Sequence, residues 1–225
     1  MDRRAFSTSV LGLGWTACPV PVRAALLESD AAAGVRAALE RGAEAAVALL
    51  GRQDGYLGNP KVRIPLPGFL AEAAKLLKAT GQQRKVDELV TAMNRAAEAA
   101  VPQARALLVQ TAKSISVEDA LQIVRGSQTS VTEFFARKTR EPLGQKFLPI
   151  VAKATERVAL ADKYNAVAGK AARLGLMKSE DADLNRYVTG KSLDGMYLMI
   201  GEEERKIRRD PIGTGSAILK KVFGA

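Results

Sequence analysis

Apolar positions recur along most of this chain three and four residues apart, the spacing of a buried helix face. Val35, Leu39, Ala43, Val47 and Leu50 predict a first helix over about Ala31–Leu50, with Ser29 and Asp30 as N-caps and Gly51 beyond its end. Leu70, Ala73, Ala74 and Leu77 predict a second over Phe69–Ala79, closed by Gly81. Val86, Leu89, Val90 and Met93 predict a third over Arg84–Ala100. Pro102 suits the first turn of a fourth, which runs to Lys113. Ser116 with Asp119, and Ser130 with Glu133, have capping-box spacing and open short helices over Val117–Val124 and Val131–Lys138. Further helices are expected over Pro142–Val158 with a kink at Pro149, and over Leu160–Leu174, Leu184–Val188, Lys191–Arg208 and Ser216–Val222.

One tract breaks the helical period. In NPKVRIPLPGFL, residues 59–70, Val62, Ile64 and Leu66 alternate with Arg63 and Pro65. Asn59, Ile64 and Leu66 each precede a proline, which pushes them toward extended geometry. The tract reads first as a stiff crossover from the first helix to the second, burying its aliphatic residues under the bundle. The functional alternative is the lip of a groove. Lys61, Arg63, Ile64 and Leu66 are then the candidate ligand contacts, with the two cations at its edge.

These elements add up to an all-α fold: one compact domain over 25–225, of roughly nine to eleven helices with one extended proline-rich crossover. No fixed-period repeat and no long linker interrupts it. Composition agrees. Apolar residues are 47% of the 225 but aromatics only 5%, so alanine, leucine and valine must build the core.

The N-terminus reads as an address. Arg3 and Arg4 precede a short apolar stretch over 6–17, and Val22 and Ala24 place compact residues before Ala25. This is the pattern of a secretory signal occupying 1–24, too short for a permanent membrane span. Arg3-Arg4 with Ala5-Phe6 resembles a twin-arginine signal, although Asp2 and Ser7 depart from its preferences. The expected location is periplasmic. A lipid anchor at Cys18 and an uncleaved N-terminus are the alternatives.

The chemistry this chain can carry is narrow. Histidine is absent, and Cys18 and Trp15 are the single residues of their types. Loss of 1–24 would leave no Cys, His or Trp, which excludes a Ser-His-Asp triad, a cysteine nucleophile, disulfides and His or Cys metal ligation. The same cut removes three arginines and one aspartate, lowering the net charge from +10 to +8. Those charges are dispersed, with no run of five basic residues, so nucleic acid is not an expected partner.

Several segments occur in a recognisable order: NPKVRIPLP at 59–67, MNRAAEAAVPQAR at 93–105, SVEDALQIVRG at 116–126, KFLPIV at 146–151, DGMYLMIGEEERKIRRDP at 194–211 and LKKVFG at 219–224. Together they resemble the bacterial domain-of-unknown-function family 4197, from about Leu26 onward. The resemblance implies an export signal and a helical domain, and it supplies no catalytic residue, cofactor or metal.

The remaining motifs read as structure. Asp181, Asp183 and Asn185 begin like a calcium loop, but Arg186 and Ser192 stand where it needs Gly and Glu, so helix-start acids fit better. EEERKIRR at 202–209 predicts pairs of Glu202 with Lys206 and Arg205, and of Glu204 with Arg208, on a solvated face. A carboxylate dyad there would need Glu118, Asp119 or Glu133 from elsewhere. Gly213 and Gly215 before a terminal helix suit a flexible cap better than a phosphate site. Met196 and Met199 are assigned to the core, with a lipid-facing surface as the alternative. The leading function is a non-catalytic binding or interaction module for an apolar or anionic envelope ligand or a protein partner. A structural envelope protein and an Asp/Glu-based hydrolase are the alternatives.

Overall fold

The computed structural model describes residues 20–210, except 128, 157, 159–160, 163, 166–167, 169–172 and 174–181. The expected terminal helix over 216–222 lies outside the described residues, as does most of that over 160–174. Within the latter, Ala161, Tyr164 and Ala168 are helical and buried.

No strand occurs among the described residues, and the architecture is helical throughout. The helices are α1 Val20–Leu50, α2 Gly68–Ala79, α3 Gln83–Ala100, α4 Arg105–Lys113, α5 Val117–Arg125, α6 Ser130–Thr155 and α7 Leu184–Arg209. A single 3₁₀ turn, Val101–Ala104, places Pro102 before α4. No described helix is long and apolar enough to cross a membrane.

Among the described residues the helices are fewer than the nine to eleven expected: two pairs of neighbouring segments fuse, and two expected helices lie mostly or wholly outside the described residues. The segments from Val131 and from Pro142 form one helix, α6, that runs through Pro142 and Pro149. Each internal proline forfeits a backbone hydrogen bond, at about 3 kcal/mol. Against that cost, Val131, Phe135, Thr139, Leu143, Phe147, Val151 and Thr155 form an unbroken buried stripe at four-residue spacing. Its five apolar members contribute roughly 1.5–3 kcal/mol each, so burial wins and the helix continues. The expected break between Val188 and Lys191 fails for the same reason. Leu184, Val188, Ser192, Met196, Ile200 and Glu204 are buried at four-residue spacing through α7. Ser29 and Asp30 do not cap α1, which already runs from Val20. Ser130 does not cap α6 either: the N-cap is Thr129, whose Oγ1 donates to Glu133 Oε1 at 2.8 Å.

Other signals hold. Ser116 caps α5, accepting from the Asp119 N–H at 3.0 Å. Gly81 ends α2 with φ +76°, a conformation glycine adopts without strain. Asp183 caps α7 by accepting from the N–H groups of Asn185 and Arg186.

α6 and α7 form the centre of the molecule and run antiparallel. Thr139 Oγ1 and Tyr197 Oη are 2.8 Å apart, Arg140 pairs with Asp194, and Thr155 Oγ1 donates to Asn185 Oδ1 at 2.6 Å. At the far end Glu204, buried on α7, accepts from the Val131 and Thr132 N–H groups at 3.2 and 3.3 Å. A carboxylate 73 positions away in sequence thus caps α6, where no local side chain does. α1 packs along α7, α4 and α5, and α3 packs on α6.

Candidate functional site

The proline strip lies across α3 and α7. Val62 and Ile64 are buried, Leu66 is half-buried, and Lys61 and Arg63 are exposed. The first part of the strip is not extended as expected: residues 60–62 form a turn in which the Val62 and Arg63 N–H groups donate to the Asn59 carbonyl at 3.2 and 2.9 Å. From Ile64 on the backbone has no such local partner and must be satisfied from outside. Asn94 on α3 does this. The Ile64 N–H donates to Asn94 Oδ1 at 2.8 Å, and Asn94 Nδ2 donates to the Ile64 carbonyl at 3.0 Å. From α7, Tyr187 Oη donates to the Pro65 carbonyl at 3.1 Å.

A second anchor holds the turn before the strip. Glu98, buried on α3, accepts at Oε1 from the N–H groups of Tyr56 and Leu57, at 3.0 and 3.1 Å. Its Oε2 pairs with Arg95 at 2.6 Å, and Arg95 reaches on to Asp54 at 2.8 Å. The hydrogen bond that Arg95 donates to Glu98 raises its guanidinium above its ordinary value. Asp54 itself has φ +63°, in the left-handed region. Tyr56 is wholly buried and donates to the Ser192 carbonyl at 2.6 Å. Burial pushes its phenol up, and the charges of Asp194 and Glu98 add to the shift. The ring fits because α7 carries Gly195 there: a Cβ at that position would stand 2.8 Å from Tyr56 Cε1.

Of the four candidate contacts in the strip, Ile64 belongs to the core and Leu66 packs against it. Lys61 bridges to Glu202 on α7 at 3.2 Å. Hydrogen bonds from Lys61 and Arg205 hold the Glu202 carboxyl below its ordinary range. Arg63 is the member left pointing to solvent.

The acidic motif at 202–209 is not a solvated face throughout. The Arg205–Glu202 and Arg208–Glu204 pairs form as expected, whereas Lys206 joins Glu203. Glu204 lies inside, 5% exposed. Burial pushes its carboxyl up, against the opposing pull of Val131, Thr132 and Arg208. Asp119 and Glu133 meet with Arg137 in a recess of about 130 Å³, while Glu118 is exposed. Met196 and Met199 are core residues. Asp181, Gly213, Gly215 and Cys18 lie outside the described residues. No group of three or more acidic or Cys side chains suited to a metal occurs among the described residues.

One recess shared by two helices was not legible from sequence. It is a groove of about 460 Å³ between α6 and α7. Gly144 on α6 and Gly190 on α7 open it, Leu148 and Leu193 line it, and Arg140 and Arg186 stand at its rim. Two glycines inside helices, each costing about 1 kcal/mol relative to alanine, were the available signal.

The chain matches, over residues 25–224, the family described as "Protein of unknown function (DUF4197)", and it belongs to that family. No curated protein and no solved structure matches it.

Proposed function

We propose that this member of an uncharacterised family is an exported, non-catalytic binding module of the cell envelope, taking an apolar or anionic ligand on its helical body. The use made of its buried carboxylates carries this reading. Glu98 and Glu204 are the two buried acids among the described residues. Each accepts backbone N–H groups from another segment and pairs with an arginine, the arrangement of a structural cap. A carboxylate so engaged is not free to act as base or acid in a cleft. The groove between α6 and α7 has the size of a small-ligand site.

Export is supported by Arg3 and Arg4, by the apolar stretch over 6–17 and by the compact pair Val22 and Ala24. The family match begins at residue 25, immediately after the proposed cut. N-terminal sequencing and native mass spectrometry of protein purified from its own envelope test both parts. A chain starting at Ala25 and carrying a non-protein mass is expected. A start at Met1 overturns export, a start at Cys18 with acyl mass makes the protein a lipoprotein, and a ligand-free spectrum in every preparation overturns binding.

A further inference from the structure

Within the binding-module reading, we infer that the groove between α6 and α7 takes a single-chain amphiphile with an anionic head. Three observations converge on it. The first is shape and lining. The groove measures about 460 Å³, and its apolar lining comes from Leu148, Leu193 and the bare backbone of Gly144 and Gly190. A Cβ built at Gly190 meets nothing within 4 Å, so the space above it is open to an occupant.

The second is a hydroxyl without a partner. A buried Ser or Thr inside a helix commonly donates to the carbonyl four residues earlier. In these two helices Thr139 donates to Phe135, Thr155 to Val151 and Ser192 to Val188. Thr189, in the groove lining and 7% exposed, is the exception: its Oγ1 has no hydrogen-bond partner. An unsatisfied buried hydroxyl is costly, and because this oxygen has essentially no surface open to the groove, a ligand head-group oxygen satisfies it only once the Thr189 side chain turns outward.

The third is charge. Arg140 and Arg186 flank the groove, and Glu141 is the single acid among its lining residues. Arg140 is steadied by Asp194 and by the Tyr197 ring, 5.4 Å below its guanidinium. Arg186 is largely exposed and only loosely paired with Asp183, at 3.7 Å, so its guanidinium can turn to a ligand. Two guanidinium groups above an apolar floor suit a carboxylate or phosphate head on an aliphatic chain.

Isothermal titration calorimetry of the full chain with decanoate, decyl phosphate and decanol, each below its micellar concentration, tests this. One or both anions should bind, with decanol about tenfold weaker or worse, the equivalent of one charge-assisted hydrogen bond. The tighter anion identifies the head group. Gly190→Leu should abolish binding while leaving the melting temperature unchanged or raised, because the new side chain enters open space. Thr189→Val should weaken binding without loss of stability, and Arg186→Gln should weaken the anions but not decanol. Failure of both anions to bind, decanol binding as tightly, or unchanged affinity in Gly190→Leu overturns the inference. An envelope-derived mass that persists on Gly190→Leu would leave the binding-module reading standing and place its site elsewhere.

Discussion

Asn94 and Ile64 exchange two hydrogen bonds, side-chain amide to main-chain peptide, across 30 positions of sequence. The amide plays the part a neighbouring β-strand would play, in a molecule whose described residues contain no strand. It satisfies both polar groups of a residue that is 1% exposed. Asn94→Ala orphans that N–H and carbonyl, and each unsatisfied buried group costs roughly 1–3 kcal/mol. Denaturant unfolding should show a loss in that range or above. A change under about 0.5 kcal/mol, the level of an ordinary surface substitution, would mean that the clamp does not hold the strip.

The strip itself separates its two neighbours sharply. Ile64→Asp places an uncompensated charge in the core and should unfold or severely destabilise the domain. Arg63→Ala, at an exposed position, should stay within about 0.5 kcal/mol of the parent. Melting temperatures of the two variants decide it; equal damage from both would make Arg63 a structural residue.

Two glycines of α7, five positions apart, should respond oppositely to alanine. At Gly195 the new Cβ would lie 2.8 Å from Tyr56 Cε1 and 3.1 Å from Val62 Cβ, so Tyr56 or the helix must shift. Overpacking of this kind costs about 1–3 kcal/mol. At Gly190 nothing lies within 4 Å, and alanine gains up to about 1 kcal/mol of helix propensity. Chemical denaturation of the pair checks the contrast, and destabilisation by Gly190→Ala would contradict the open groove.

Glu204 and Glu202 should give stability–pH profiles of opposite slope. An unfolded glutamate titrates near about pH 4.3. Burial raises Glu204 in the folded state, so its contribution is fully present below that pH and is lost as pH rises through its folded value. Lys61 and Arg205 lower Glu202, so its contribution is present above that pH and is lost as pH falls through its folded value. Unfolding free energies from acid to neutral pH, for the parent, Glu204→Gln and Glu202→Gln, measure this. The parent-minus-variant difference should decline with pH for Glu204 and grow with pH for Glu202. Slopes of the same sign would show that one carboxylate sits in a different environment.

The all-α class, the face of α3 and the cap of α5 by Ser116 were all written locally. Helical periodicity, proline stereochemistry and cap spacing act within a few residues, so a sequence displays them directly. The strip's alternation marked Val62 and Ile64 as buried for the same reason. What tertiary structure alone decided lies at longer range. Pro142 and Pro149 mark a break until α6 is seen to bury an uninterrupted stripe against its neighbours, and only packing supplies the energy that outweighs them. Glu204 has the spacing of a surface ion pair with Arg208, and forms that pair, but its second task as the cap of α6 requires a helix end brought from 73 positions away. Asn94 and Glu98 look like ordinary polar residues of α3 until unsatisfied backbone is laid against them. The groove exists because an antiparallel pair brings Gly144 and Gly190 to one recess, and no local pattern encodes which two glycines will share it.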